Sequence, residues 1–210
     1  MRCGILLALP AAALLGGCMP IVIGAGAGAA YSSLEDRRST GMQLDDEGIA
    51  QRTAGRIGDR YADKVHVNVT SYGRSVLLTG EVPDAQTRED VERVTRAVPN
   101  VQGVSNELEI AGNSSLTARA NDGFITSKVK GRFLDARRFN PVHVKVVTEA
   151  GVVYLLGVVT EREADDAAEL ARSVAGVRKV VKIFEHCQPS DAICGRRPAE
   201  PQKPKSAATR

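Results

Sequence analysis

The chain has 210 residues, with 28 Lys+Arg against 25 Asp+Glu and a formal net charge of +3. That near-balance gives no case for nucleic acid, and the length allows two domains of modest core size but little more. Aromatic residues are 4% and Trp is absent, so the cores must be built from Val, Leu, Ile and Ala.

Arg2 precedes an apolar run from Gly4 to Leu15, which ends in Leu15-Gly16-Gly17-Cys18. A basic start, a short apolar core and small residues before the cut read as a secretory signal over residues 1–17. The run is too short to span a bilayer. Its small-small-Cys ending is similar to a bacterial lipobox. That resemblance implies that Cys18 is acylated, palmitate included, and begins the mature chain. Two or more acyl chains anchor stably where one binds marginally. Met19 follows the cysteine; by the same resemblance, the lack of an aspartate there favours the outer membrane. Residues 18–40 read as the lipidated cysteine and a flexible spacer. Gly24 to Gly28 lacks the strand before it and the helix after it that a dinucleotide loop needs.

From here the chain says the same thing twice. Val65-His66-Val67-Asn68-Val69 is answered by Val142-His143-Val144-Lys145-Val146 about 77 positions later, and Gly80 by Gly157, a period too long for a solenoid unit. In the first repeat, Asp45 or Asp46 is expected to cap a helix running to about Arg60, with Ile49, Thr53 and Ile57 on one face. Val65 to Val69 alternates as a half-buried strand. Tyr72-Gly73-Arg74 is a turn, and Ser75 to Val82 a second strand. Asp84 caps a second helix that Pro99-Asn100 stops, and Val101 to Ile110 is a third strand. Gly112-Asn113-Ser114-Ser115 links the repeats. In the second, Asn121 or Asp122 is expected to cap a helix to about Asp135. Val142–Val147 and Val152–Val159 follow as strands around a Glu149-Ala150-Gly151 turn. Thr160-Glu161-Arg162-Glu163 is a capping box. The helix it opens ends before Gly176, where a C-terminal cap belongs, and Val177 to Phe184 is the last strand. The fold class is α+β: two tandem αββαβ domains, 41–112 and 116–186. Each is a three-stranded mixed sheet packed against two helices.

The V-x-V … G-x-V-x-L-x-G … helix … G-V pattern resembles the BON domain (bacterial OsmY and nodulation). The nearest stretches are Asn121 to Val129 and Gly157 to Ala164. Two such domains behind a lipobox resemble the dual-BON, OsmY-like outer-membrane lipoproteins linked to cell division and envelope integrity. The resemblance implies a periplasm-facing protein that binds anionic phospholipid such as phosphatidylglycerol or cardiolipin, with envelope or division proteins as further partners. It implies contact through the first helix of the second domain, the family's tryptophan falling on Phe124.

Helical geometry examines that helix independently. Ile125, Val129 and Phe133 form the core stripe. Phe124, Ser127, Gly131 and Leu134 fall on the opposite face, with Lys128 and Arg132 on one flank and Lys130 on the other. The matching outward positions of the first repeat are Gly48, Gln51, Gly55 and Gly58. An apolar stripe rimmed by Lys and Arg suits the headgroup zone of an anionic bilayer. A competing reading has Phe124 and Leu134 cover the interface between the domains. Another has the same helix bind a second envelope protein. Gly80 and Gly157 are expected to meet a neighbouring backbone.

His66 and His143 occupy matched strand positions and are expected to be solvated, with no Cys or second His beside either. Glu161, Glu163, Asp165 and Asp166 suit a helix N-terminus, with a calcium site as the competing reading. Cys187 and Cys194 remain after the signal and lipid cysteines. In an exported protein they read as a disulfide, against a metal reading with His186 and Asp191. Residues 187–210 are the cysteine loop and a disordered basic tail. No nucleophile motif, phosphate loop or HExxH is present; no enzyme activity, metal or cofactor is expected.

Overall fold

The computed structural model describes residues 36–194. The signal segment, Cys18, the spacer as far as residue 35 and the basic tail from 195 lie outside the described residues. The first repeat comprises α1 (Thr40–Tyr61), β1 (His66–Tyr72), β2 (Ser75–Val82), α2 (Ala85–Arg96), β3 (Gly103–Asn106) and β4 (Glu109–Ile110). The second comprises α3 (Leu116–Ala136), β5 (Lys145–Glu149), β6 (Val152–Val159), α4 (Glu161–Arg172) and β7 (Lys179–His186). In each sheet the second strand is central. It pairs antiparallel with its hairpin partner, β1 or β5, and parallel with the strand after the helix. The architecture is the α+β arrangement expected from the repeats.

Both first helices start earlier than expected. Ser39 caps α1, its hydroxyl accepting from the Met42 amide at 3.2 Å, and Ser115 caps α3 through the Ala118 amide at 3.2 Å. Asp46 and Asp122 are therefore not caps but buried residues inside the helices. Each reaches across to the hairpin of its own sheet. Asp46 accepts from the Gly73 and Arg74 amides at 2.8 and 2.7 Å and from Ser71 Oγ at 2.7 Å. Asp122 accepts from the Ala150 and Gly151 amides at 2.9 and 2.8 Å. The turn residues all have positive φ (59°, 64°, 47° and 73° in chain order), as a tight two-residue hairpin of the primed type requires. A mid-helix aspartate looks like a cap in sequence because its favoured role is local; here a tertiary role replaces it.

The strands also differ at their ends. The expected third strand breaks at Glu107-Leu108, where Leu108 drops into the first core. Val142 and His143 are not strand: Pro141–His143 form a 3-10 turn that Asn140 caps through the Val142 amide, and β5 begins at Lys145. Strand β7 begins at Lys179 rather than Val177. The Thr160–Glu163 capping box is present as expected. Gly176 is not the cap residue of α4, which is Ser173; it turns the chain three residues later with φ 101°, where Asn100 has φ 72° in the first repeat.

Each sheet buries one face under its own helices. Ile49, Ile57, Val76, Leu78, Val82 and Val91 form the first core; Ile125, Val129, Phe133, Val153, Leu155 and Val159 lead the second. The other faces pack against each other. Tyr72 and Leu77 of the first repeat meet Tyr154, Leu156, Val158 and Cys187 of the second in a third apolar cluster. The layers run helix, sheet, sheet, helix. The seven residues after the first in β2 and in β6 are all buried, since both strands are covered on two sides. A strap ahead of α1 adds to the join. Arg37 donates to the Val158 carbonyl at 2.9 Å and forms a forked pair with Glu163 at 2.7 and 3.0 Å. Arg38 pairs with Asp36 and Asp46 and lies 3.8 Å over the Tyr72 ring. A Cβ on Gly80 would sit 2.0 Å from the His66 carbonyl oxygen, and one on Gly157 2.3 Å from that of His143, the close backbone approach expected.

Candidate functional site

Burial of Ile125, Val129 and Phe133 fixes which way α3 faces. With that stripe committed to the core, Phe124 and Leu134 point to solvent at 61% and 63% exposure. They do not cover the join between the domains, which the two sheets make instead. Ten residues of helix separate them, about 15 Å along the axis. Between them, Ser127 returns its hydroxyl to the Gly123 carbonyl at 3.0 Å, and Gly131 has nothing within 4 Å of where a Cβ would be. The result is two apolar side chains with a low, open saddle between them.

The cations are arranged around this stripe. Lys128 Nζ lies 4.4 Å from the Phe124 ring centroid and donates to the Ala175 carbonyl at 3.2 Å. Its charge is therefore held at the edge of the apolar patch. Lys130 and Arg132 are exposed. Farther along, Arg138 is committed to Asp166 and Glu169 at 3.2 and 2.9 Å. The same surface of α1 is different. Gly55 and Gly58 present no side chain, Arg56 donates to the Ala97 carbonyl at 3.0 Å, and Arg60 pairs with Asp90 at 2.6 Å. Leu44 is exposed on α1 but stands alone, so among the described residues one of the two repeats carries the exposed apolar pair with its basic rim.

The two histidines are not solvated. Their side chains are 14% and 12% exposed, His66 at the start of β1 and His143 in the 3-10 turn before β5. His66 Nδ1 is 2.8 Å from Glu81 Oε2, and His143 Nδ1 is 3.8 Å from Glu163 Oε1. Burial works against ionisation of Glu163, but His143, Arg37 and the Thr160 amide outweigh it and hold the carboxyl well below the usual range. Of the other acidic groups at the start of α4, Asp165 pairs with Lys182 at 3.1 Å and Asp166 with Arg138, and Glu161 is exposed. Cys187 and Cys194 are joined as a disulfide, with Cys187 buried against the seam. The oxidised pair leaves no thiolate for the metal reading with His186.

The seam has no motif of its own in the sequence. Glu149 is buried and accepts from Asn68 Nδ2 across the domains at 2.7 Å. The one available signal was the unbroken apolar run Val152-Val153-Tyr154-Leu155-Leu156, which marks a strand buried on both faces.

Residues 45–112 and 121–185 match the BON domain family. The chain is 36% identical over 180 residues to a protein of Haemophilus influenzae named outer membrane lipoprotein DolP, covering 85% of this chain and 93% of that one. It is 32% identical over 155 residues to a 21 kDa hemolysin of Actinobacillus pleuropneumoniae, covering 73% and 80%. It is 31% identical over 144 residues to the osmotically-inducible protein Y of Escherichia coli, covering 67% and 72%.

Proposed function

The chain belongs to the BON-domain family, as an outer-membrane-associated lipoprotein with two copies of the domain, and from that premise we propose that it is a phospholipid-binding module held at the membrane through Cys18. It faces the periplasm, supports outer-membrane integrity and catalyses no reaction. The second domain engages anionic phospholipid, phosphatidylglycerol or cardiolipin, through Phe124, Ser127, Lys128, Lys130, Gly131, Arg132 and Leu134.

The observation that carries this reading is the placement of Lys128 against Phe124 on a stripe whose two large apolar side chains are both exposed. Such a pair enters the headgroup zone together, ring below and ammonium at the phosphates. Each basic residue near an anionic surface adds about 1 kcal/mol, and full burial of a Phe or Leu about 1.5–3 kcal/mol. Two apolar groups already one-third covered and three cations sum to roughly 5–7 kcal/mol before ordering costs. That is weak for a free protein but sufficient for a tethered one, whose effective concentration at the membrane is high. Among the described residues no helix is long and apolar enough to cross a membrane.

Vesicle co-sedimentation of the chain from residue 19, without the acylated cysteine, tests the reading. The segment Asp36 to Arg38 must be kept, because it ties the two domains together. Binding is expected to phosphatidylglycerol- or cardiolipin-containing vesicles, not to zwitterionic ones, and to disappear in Phe124→Glu/Leu134→Glu with circular dichroism unchanged. Absence of wild-type binding to either vesicle refutes it and turns the same face toward a protein partner.

A further inference from the structure

At one end of the seam, three metal-ligand side chains from both repeats converge. His66, Glu81 and Glu149 each offer a donor atom, and these atoms lie within 4.8 Å of one another. His66 opens β1, Glu81 sits beside it near the end of β2, and Glu149 closes β5 of the other repeat. Both glutamates are more than nine-tenths buried, at 6% and 8% exposure. Two carboxylates so placed repel each other unless a positive charge lies between them. Arg119 lines the same cleft, but its Nε and Nη2 donate to Ser114.

The donors are oriented from behind. Asn68 Nδ2 holds Glu149 Oε2 at 2.7 Å, and the Ser114 amide holds Glu81 Oε2 at 3.1 Å. Glu81 Oε2 also lies 2.8 Å from His66 Nδ1, so each carboxylate keeps its second oxygen for a ligand. Ligating carboxylates are usually held in this way, with the hydrogen-bond donors, here Asn68 and the Ser114 amide, as the outer shell of the metal centre. His66, Asn68 and Glu149 also border an open cleft of about 330 Å³, which supplies an entry path.

The duplicated fold provides an internal control. The positions matching Glu81 and Glu149 in the opposite repeats are Val158 and Tyr72. At that end of the seam His143 stands beside Tyr72, whose hydroxyl is 3.5 Å from the His143 carbonyl. The fold therefore does not demand two buried carboxylates beside a histidine; they are a property of one end only.

We propose that His66, Glu81 and Glu149 form a divalent-cation site, of the one-imidazole, two-carboxylate kind that suits Zn²⁺, which clamps the first repeat to the second. Three protein donors leave a fourth position for water from the cleft. Its ligands lie outside the proposed lipid face of α3, although Arg119, Asp122, Gly123 and Thr126 of that helix line its cleft, so it stands whether or not that face binds lipid.

Equilibrium dialysis of the EDTA-treated chain from residue 19 against Zn²⁺, read by elemental analysis, tests it. One zinc per chain is expected. Affinity is expected to fall roughly tenfold or more in His66→Ala and in Glu149→Gln, and to stay unchanged in His143→Ala. Glu149→Gln keeps an acceptor for Asn68, so its fold should survive, and circular dichroism checks this. At the same zinc concentration the Tm of the wild type should rise more than that of Glu149→Gln. No stoichiometric zinc in the wild type, or zinc retained by either variant at wild-type affinity, overturns the assignment.

Discussion

Replacing Asp122 by alanine separates two roles for an aspartate near the start of a helix. As a cap, its loss would cost about 1 kcal/mol. In the structure it sits inside α3 and accepts from the two amides of the β5–β6 turn, one half-buried and one buried. Each buried donor left without an acceptor costs about 1–3 kcal/mol, so the pair should cost about 2–4 kcal/mol, given that one is partly wet. Alanine returns roughly 0.5 kcal/mol of helix propensity. The expected loss is about 2–3 kcal/mol in urea unfolding followed by circular dichroism. Asn121→Ala, at the exposed neighbouring position, should change stability by no more than about 0.5 kcal/mol. Asp46→Ala should cost more than Asp122→Ala, because Asp46 also holds Ser71 and Arg38. Burial opposes ionisation of Asp46, but the Arg74 and Gly73 amides, Ser71 and Arg38 win and lower its pKa. A lowered folded pKa gives stability that is present above the unfolded value, about 3.9, and is lost as pH falls through the folded one. Acid unfolding should therefore be less steep in Asp46→Ala. A loss below about 1 kcal/mol for Asp122→Ala, equal to that of Asn121→Ala, would refute the turn-clamp reasoning.

Gly157→Ala places a Cβ 2.3 Å from the His143 carbonyl, so β6 and the chain leading into β5 must part; a loss of about 1–3 kcal/mol is expected in the same assay. Gly80→Ala should be worse, since its contact is closer and its φ of 109° adds strain. Burial pushes the Tyr72 and Tyr154 hydroxyls up to about 12, helped by Asp36 near the first and by Glu107, Glu109 and Glu149 near the second. A folded pKa above the unfolded value of about 10 means that their contribution is intact below pH 10 and is lost as pH rises toward 12. Absorbance of the phenolates should show a late phase coincident with unfolding, reduced in Tyr72→Phe and Tyr154→Phe. Full ionisation of all tyrosines near pH 10 with the fold intact would contradict the burial.

What was legible in the sequence was whatever the chain encodes locally or repeats. The Thr160–Glu163 capping box, the alternation of β1 and the glycines that admit a neighbouring backbone depend on near neighbours or on a repeat. The core and outward faces of α3 followed from helical periodicity alone, and Phe124 and Leu134 point where that predicts. What was not legible depends on the packing of one repeat against the other. His66 and His143 look solvated from their strand phase, because alternation gives the side of a sheet but not what covers it. Asp46 and Asp122 look like caps because their partners lie in a hairpin some 25–30 residues on. Arg37 gives no local sign that it will reach Glu163.

The back-to-back join explains why the two repeats were free to diverge on their outer helices. Each sheet spends one face on its own helices and the other on its partner, so the outer faces of the helices, α1 and α3 among them, are left for contact with anything else. The core stripes of these helices match, with Ile49, Thr53 and Ile57 answering Ile125, Val129 and Phe133. Their outer stripes do not: a lone Leu44, glycines and a glutamine on one, Phe124 and Leu134 among cations on the other. Stability constrains the first set, since a large-to-small change there costs several kcal/mol. It barely constrains the second, where surface substitutions usually stay within about 0.5 kcal/mol. An exposed Phe and Leu on one copy, with a lysine held against the ring, therefore have no account in the folding of the domain. On the proposed lipid-binding function their account is what that face meets, and a helix of the second repeat can meet it while the first repeat and its strap keep the sandwich closed behind it.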